Sequence, residues 1–252
     1  MEVTYYTKAI ILNRLPFAED DTKVVVYSKD KGKLEFVARG TKKIKSKLAS
    51  HLEPISMSDL MIVRGKQYDY IGSAVSQSCY INIKNDLEKL IVAGKIIDLF
   101  NKYIKPEEKD EAVFKLLDSV LALLNYKKKV IISHDLLFNF FILKLMVQLG
   151  HKPELYNCVV CKKKIFPNNH QFDLSHGGLI CQNCTLPHPN PPLTKGRGKK
   201  GGVLLLISKN CIKILRFVVD NDFDKIIQLK ISSKLNKEII YMISSFNNFY
   251  YL

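Results

Sequence analysis

Two Cys-x-x-Cys pairs constrain the fold of this chain more than any other feature. Cys158 and Cys161 form the first pair, Cys181 and Cys184 form the second, and 19 residues lie between Cys161 and Cys181. A Cys-x-x-Cys on a tight turn lets two sulfurs reach one ion, and a second such turn completes the tetrahedral set that Zn²⁺ prefers. The separation suits a short hairpin. The pattern therefore predicts a Zn²⁺ site with four cysteine ligands.

The neighbouring residues favour a structural metal within residues 154–184. Gly177 and Gly178 precede the second pair and permit the positive φ angles that a turn needs. The cations of Lys162–Lys164 offset part of the negative charge of four thiolates. A catalytic zinc usually keeps one position open for water, whereas four sulfurs close the site. We therefore expect the metal to organise a small element and to do no chemistry.

Other uses of cysteine and histidine remain as alternatives. Six cysteines are enough for three disulfides, but the N-terminus shows no export signal, and reducing compartments rarely keep such bonds. Two alternatives to a structural zinc remain for the cysteine pairs: a redox function, or a site that has lost its metal. His170 and His176 lie in the loop and can replace a cysteine ligand, although surface positions are more usual. Cys79 and Cys211 are expected to pack in the core.

The charge of the chain indicates a polyanionic partner. The sequence has 39 Lys and Arg against 24 Asp and Glu, a net charge of +15. Nucleic acid, the ribosome and an anionic membrane surface all fit this excess. Residues 151–202 carry eight basic and two acidic groups, while residues 81–150 are close to balanced. Since no apolar run is long enough to cross a bilayer, we predict a cytoplasmic protein without a membrane partner.

The N-terminal third of the chain has the pattern of a small β-barrel. Five segments rich in Val, Ile, Tyr and Thr are separated by turn signals, at residues 3–14, 22–28, 33–39, 55–64 and 67–78. Five closely spaced strands suggest a closed antiparallel sheet, and an OB-type barrel matches their number and size. We therefore predict an OB-fold nucleic-acid-binding domain over residues 1–80.

The rest of the chain is predicted to be an α-helical domain, residues 81–252. Apolar residues recur at helical spacing in residues 87–104, 113–124, 136–149, 209–221 and 231–251. The third segment is apolar nearly all round, which is typical of a central helix. Residues 185–202, TLPHPNPPLTKGRGKKGG, are too rich in proline for helix or interior strand. They are predicted to form a flexible basic insertion, either without function or contacting phosphates.

A cluster of cations follows the third predicted strand. It contains no acid and consists of Arg39, Lys42, Lys43, Lys45 and Lys47. Small barrels bind single strands by pairing a basic groove with aromatic stacking platforms. Candidate aromatics nearby are Tyr5, Tyr6, Phe36, Tyr68 and Tyr70. A solvated charge run and ordinary packing are the plainer alternatives. The cluster is predicted to contact phosphates without reading bases.

Several strings together resemble the bacterial RecO family of DNA repair and recombination mediators. They are VARGTKKIKSK, FFILKLMVQLGHKPELYNCVVC, FDLSHGGLICQNC and ISKNCIKILRFV. The resemblance covers most of the chain and is interrupted by residues 185–202. Paired Cys-x-x-Cys occurs in many families, so the ordered combination is more specific than any one string.

The resemblance implies an OB-fold domain, a helical domain and a zinc element within the helical part. It also implies binding of single- and double-stranded DNA, annealing of complementary strands, and loading of the recombinase RecA onto strands covered by the single-stranded DNA-binding protein SSB. The resemblance further implies RecR and the C-terminal tail of SSB as partners, and a location of the protein at the nucleoid. By similarity, the cations of residues 39–47 belong to the DNA face and the four paired cysteines hold zinc.

Two other classes of function compete with a DNA-binding mediator. An RNA- or ribosome-associated zinc protein would share the barrel, the charge and the cysteines. A nuclease or other metal-dependent hydrolase would need a recognisable site, and the sequence has no His-Glu-x-x-His, Walker loop or two-metal carboxylate cluster. The stretch Glu19-Asp20-Asp21 is better interpreted as a turn between strands. We predict that the protein is not an enzyme.

Overall fold

The computed structural model describes residues 4–126, 131–166, 168, 170–185 and 203–251. Contacts between residues divide the chain into two compact units, Met1–Lys129 and Val130–Leu252. The first unit thus continues past the barrel, and the predicted domain boundary between residues 80 and 81 stays a prediction. Among the described helices, none is both long and apolar enough to span a bilayer.

The first unit begins with a closed barrel of five strands. These are β1 (Thr4–Pro16), β2 (Thr22–Ser28), β3 (Gly32–Ala38), β4 (Ser56–Val63) and β5 (Tyr70–Ser78). Around the barrel they follow the order β1-β2-β3-β5-β4, and β4 returns to β1. All pairs are antiparallel except β3 with β5, which meet in parallel at Val37 and Tyr70. This arrangement confirms the prediction of an OB-like barrel.

The alternation of apolar residues along the strands builds the barrel interior. The buried cluster contains Ala9, Ile11, Val24, Val26, Phe36, Ala38, Leu52, Leu60, Ile62, Ile71 and Ala74. Strand β1 is long enough to pair with both β2 and β4, and the register shifts between Ile11 and Asn13. A bulge of this kind bends a strand and increases its twist, which helps a short sheet to close.

The described residues of the first unit also form three α-helices: α1 (Ile81–Lys84), α2 (Leu87–Tyr103) and α3 (Glu111–Leu124). The carboxylates of Asp86 and Asp110 accept backbone N–H bonds at the starts of α2 and α3. On the barrel, the buried ring of Tyr27 lies 4.9 Å from the Phe100 ring and 6.3 Å from the Phe114 ring. The outer wall of the barrel therefore has an apolar contact with both long helices.

The second unit combines helices with a small sheet. In chain order its elements are α4 (His134–Gln148), β6 (His170–Asp173), β7 (Gly178–Ile180), α5 (Gln182–Thr185), β8 (Leu204–Ile207), α6 (Lys209–Asp220), α7 (Phe223–Ile226) and α8 (Ser233–Tyr251). Helix α4 packs against α6 and α8 and buries residues around most of its circumference. This confirms the prediction that the third long apolar segment is central.

The sheet of the second unit was only partly predicted. Strands β6 and β7 form the expected hairpin between the cysteine pairs, but β8 pairs with the other edge of β6. Residues 204–207 are separated in sequence from that hairpin by the proline-rich insertion, so their pairing had no local signal. Residues 186–202 of the insertion lie outside the described part of the chain, and Thr185 ends α5.

Candidate metal centre and nucleic-acid interface

The four paired cysteines meet at one point in the second unit. Their Sγ atoms all lie within 4.8 Å of one another, in the set Cys158, Cys161, Cys181 and Cys184. The Cys161 and Cys181 sulfurs are 3.7 Å apart, which is too far for a disulfide bond. A tetrahedron with Zn–S bonds of about 2.3 Å has edges of about 3.8 Å. The donor set and its spacing therefore fit one tetrahedral metal ion.

Backbone hydrogen bonds build the first of the two cysteine turns, residues 156–165. The Lys162 N–H donates to the Cys158 carbonyl, and the Cys158 N–H donates to the Lys163 carbonyl, both at 2.9 Å. The Ile165 N–H donates to the Tyr156 carbonyl at 2.7 Å. Lys162 adopts a φ of 61°, in the left-handed region that closes a tight turn. These bonds fix both sulfurs of the first pair on one short loop.

The two glycines before the second pair have different roles. Gly177 has a φ of 64°, as predicted for a turn residue. A Cβ atom at Gly178 would lie only 2.7 Å from the Glu154 carbonyl oxygen, so close approach of two backbone segments explains this glycine. The Glu154 N–H donates to the Gly177 carbonyl at 2.9 Å, and the Leu179 N–H returns a bond to the Glu154 carbonyl at 2.9 Å. These bonds join the chain before Cys158 to the strand before Cys181.

The electrostatics of the cluster favour a thiolate at Cys158. Burial alone would raise the pKa of this thiol, but N–H groups of Cys161, Cys181 and Val160 stabilise the anion and lower its pKa to about 6. At Cys184, burial and the neighbouring sulfurs raise the pKa. Metal ligation needs thiolates, and the backbone around Cys158 already provides the donors that stabilise one.

A cluster around Arg216 attaches the first cysteine turn to helix α6. The Arg216 guanidinium donates to the Leu155 carbonyl at 3.0 Å and to the Ile165 carbonyl at 2.9 Å. It also lies 4.5 Å from the centroid of the Tyr156 ring, whose hydroxyl donates to Asp220. Arg216 thus satisfies carbonyls at both ends of the turn, so the helix and the turn support each other.

The remaining histidines and cysteines stay outside the cluster. The His176 Nδ1 atom is 2.6 Å from the Asp173 carboxylate, and His170 bonds to a backbone carbonyl. Within the described residues neither histidine joins the four-sulfur group. Cys211 is buried, as predicted, whereas Cys79 is exposed, so the prediction of core packing was wrong for Cys79. Cys79 directly follows the end of β5, where the chain leaves the sheet.

Three loops of the first unit come together at one end of the barrel. They are residues 17–21, 39–47 and 64–69. The Phe17 and Tyr68 rings meet edge to face at 5.2 Å, which joins the first loop to the third. The Asp21 carboxylate accepts the Gly40 N–H at 2.8 Å, which joins the first loop to the second. We call this end of the barrel the loop face.

All five predicted cations lie exposed on the loop face, but they have different environments. The Arg39 guanidinium lies 4.1 Å from the centroid of the Tyr70 ring. The Lys42 ammonium donates to carbonyls of the 17–21 loop at 2.6 and 3.2 Å, and Lys43 pairs with Asp20 at 3.2 Å. Lys45 and Lys47 make no ion pair with any described residue. Part of the predicted charge therefore also stabilises the loop itself.

The structure divides the predicted stacking aromatics into three groups. Phe36 is 2% exposed in the barrel core, so it is excluded as a platform. Tyr5 lies beneath the Lys31 ammonium at 4.0 Å, and Tyr6 is 74% exposed on the strand surface. Tyr68 and Tyr70 are half-buried on the loop face beside the cations. They are the aromatics that the fold places with the basic loop.

The loop face also contains residues that the sequence did not reveal. Phe17 is 41% exposed beside Tyr68, with the Lys23 ammonium 5.9 Å from its ring centroid. Arg64 and Lys66 are exposed on the third loop. Arg64 and Lys66 are far from the basic cluster in sequence, and the parallel pairing of β3 with β5 places them beside it. Phe17 comes close to the cluster through the antiparallel pairing of β2 with β3. Applying the strand order of an OB-type barrel to the five predicted strands would have placed these residues beside the basic loop.

The chain is similar along nearly its whole length to known DNA repair proteins. The profile described as "Recombination protein O N terminal" matches residues 1–79, and "Recombination protein O C terminal" matches residues 84–252. A "DNA repair protein RecO" of Dehalococcoides mccartyi (strain CBDB1) is 29% identical over 235 residues, covering 93% of this chain and 86% of the relative. The protein of the same name from Desulforamulus reducens is 27% identical over 246 residues, with coverages of 98% and 89%.

Proposed function

The chain belongs to the RecO family of DNA repair and recombination proteins, which are non-enzymatic mediators, and we propose that it binds and anneals single-stranded DNA. In this proposal it helps to load a recombinase onto strands coated by SSB. The observation that carries the proposal is the loop face, where exposed cations lie beside half-buried aromatic rings at one end of a closed barrel. Barrels of this size bind single strands with such surfaces.

The chemistry of the loop face supports contact with backbone phosphates more than with base edges. Its cations sit on loops, and its aromatic rings offer sequence-tolerant stacking. Arg39 is the strongest candidate because a guanidinium can bind phosphate in two places while its flat face remains on Tyr70. We expect weak sequence preference and strong salt dependence for single-stranded DNA, and binding of double-stranded DNA through the same cations.

We propose that the four-cysteine cluster holds a structural Zn²⁺. The cysteines would supply four thiolates, and the ion would supply a closed tetrahedral link between the two turns. Because the thiolates of an unfolded chain form no such site, metal binding would add directly to the stability of the second unit. The observation that supports this is the 3.7 Å separation of sulfurs on different turns.

The proposed partners follow from family membership. We propose association with RecR and with the C-terminal tail of SSB, a functional link to RecA, and a cytoplasmic location at the nucleoid. These partners are what the family implies for a mediator. The net charge of +15 supports the nucleic-acid part of this set.

The test of the proposed function is annealing of complementary DNA strands that are each coated with SSB. The protein should accelerate formation of duplex, and a variant with Arg39, Lys45 and Lys47 replaced by Ala should lose most of this acceleration. Equal rates with and without the protein would reject the proposal. A clear preference for single-stranded RNA of equal length would favour an RNA- or ribosome-associated function, and cleavage of labelled DNA in Mg²⁺ or Mn²⁺ would show an enzyme.

A further inference from the structure

The first cysteine turn carries a basic surface that the loop face of the barrel does not include. Lys162, Lys163 and Lys164 are consecutive and exposed in the second unit. Within the described residues none of them makes an ion pair, whereas Lys42 and Lys43 of the barrel engage carbonyls and a carboxylate. These three ammonium groups offset part of the negative charge of the neighbouring thiolates, but no described carboxylate holds them, so they remain open to an external anion.

An exposed aromatic ring lies next to these lysines. The Phe166 side chain is 73% exposed, and the Lys164 ammonium lies 5.9 Å from its ring centroid. The carbonyl of Phe166 bonds to the His170 ring at 3.0 Å, which restrains the backbone that carries the phenyl group. An exposed ring on restrained backbone, beside cations, is the arrangement on which nucleobases stack.

The backbone of this surface is fixed before any ligand arrives. Carbonyls of Leu155 and Ile165, at the two ends of the turn, are both held by the Arg216 guanidinium. The carboxylate of Glu154, just before the turn, accepts the N–H groups of Tyr156 and Asn157, both at 2.8 Å. A restrained backbone lowers the entropy lost when a ligand is bound.

We propose that Lys162, Lys163, Lys164 and Phe166 form a second contact for single-stranded nucleic acid, separate from the loop face. The lysines would bind successive phosphates, and the phenyl ring would stack on a base. This rests on the proposed function and extends it: a protein with one strand contact in each compact unit can hold two segments of single strand. Bringing two segments together is what annealing requires.

The test uses the full-length protein, its metal retained, and a fluorescein-labelled oligo(dT) of 40 nucleotides across a series of salt concentrations. Replacing Lys162, Lys163 and Lys164 by Ala should flatten the slope of log K against log salt by about 2, at about 0.7 for each lost contact with a single strand. Phe166→Ala should weaken binding by at least about fivefold with an unchanged slope, because stacking is not electrostatic.

A matched control removes three lysines of the same unit that lie on or beside helix α8: Lys230, Lys234 and Lys237, all exposed. Their replacement by Ala changes the net charge equally and should leave the slope within about 0.5 of wild type. Metal content and melting temperature establish that each variant keeps the cysteine turn folded. If the turn variant and the control give the same slope while a loop-face variant flattens it, the second contact is rejected and the proposed function stands. If no variant changes the slope, both fail.

Discussion

The guanidinium of Arg39 lies 4.1 Å from the centroid of the Tyr70 ring, at the junction where β3 and β5 pair in parallel. Arg39 follows β3 and Tyr70 begins β5, so the contact depends on how the sheet closes. A cation held over a ring is positioned without an ion pair, and its N–H groups stay available to an anion. The Tyr70 ring therefore fixes the position of one side chain, Arg39, within the basic loop.

Arg39→Ala should weaken binding of single-stranded DNA for all sequences and flatten the salt slope by about 0.7, because one phosphate contact is lost. Arg39→Lys should keep the slope and yet bind less tightly, since an ammonium lacks the planar group that stacks on Tyr70. Fluorescence anisotropy titrations at several salt concentrations measure both quantities. Binding by Arg39→Lys as tight as that of the wild type would show that stacking on Tyr70 has no role, and identical salt slopes for the Ala and Lys variants would show that the charge at this position makes no phosphate contact.

The lysines of the loop should separate into two classes. Lys45→Ala combined with Lys47→Ala should flatten the salt slope by about 1.4 and leave stability within about 0.5 kcal/mol of wild type, since both side chains are free of ion pairs with described residues.

Lys42→Ala should instead lower the free energy of unfolding of the first unit by about 1 kcal/mol. Its ammonium bonds to the carbonyls of Ala18 and Glu19, and those bonds hold two loops together. Urea unfolding measures this effect, and oligo(dT) titrations of the same variants measure the slope. A larger slope change for Lys42→Ala than for the double variant would contradict the assignment.

Cys181→Ser should release the metal and lower the melting temperature of the second unit by at least about 5 °C. Binding of single-stranded DNA through the loop face should change little, because the cluster belongs to the other unit. Cys79→Ser is the matched control, since Cys79 is exposed and outside the cluster. Metal analysis and thermal melts, with and without chelator, decide the outcome. Equal stability of wild type with and without chelator would reject a structural metal.

The stability of the first unit should fall at alkaline pH. Burial raises the pKa of Tyr27 to about 12, and burial together with the Asp118 carboxylate, which accepts the Tyr80 hydroxyl at 2.9 Å, raises the pKa of Tyr80 further. An unfolded tyrosine ionises near pH 10, so above that pH the unfolded state releases a proton that the folded state keeps. Stability is therefore complete below about pH 10 and declines by at most about 1.4 kcal/mol per pH unit for each tyrosine.

Tyr80→Phe should make this alkaline decline shallower, because one of the tyrosines that keep a proton in the folded state is removed. Urea unfolding of the variant and the wild type at pH 8, 10 and 11 gives the comparison. A decline of equal steepness in both proteins would show that Tyr80 does not hold its proton in the folded state.

Local patterns in the sequence predicted most of the elements. The five strands of the barrel and the five long helices lie where alternation and helical spacing placed them, because each pattern is contained within one element. Strand β8 was missed because its partner β6 precedes the proline-rich insertion, and only long-range pairing stabilises four residues as a strand. The short helices α1, α5 and α7 were missed because a single turn has little periodicity to detect.

In the candidate sites too, the sequence predicted residues that lie in one short motif and missed residues that strand pairing brings together. The cysteine cluster was predicted because its ligands stand in two short motifs that flank one hairpin. The loop face was predicted only in its basic segment, since Phe17 reaches it through the pairing of β2 with β3 and Arg64 through the pairing of β3 with β5. Of the candidate aromatics, Phe36 is a core residue because strand alternation places it inward, a consequence of register that the composition of β3 did not reveal.

The central claim is that the loop face binds nucleic acid through its backbone, and the salt dependence of oligo(dT) binding tests it most directly. In a variant with Arg39, Lys42, Lys43, Lys45 and Lys47 all replaced by Ala, we predict that the slope of log K against log salt flattens by at most about 3.5, at about 0.7 for each lost contact. The variant lacking Lys230, Lys234 and Lys237 should keep the wild-type slope. A wild-type slope in the five-residue variant would contradict the account.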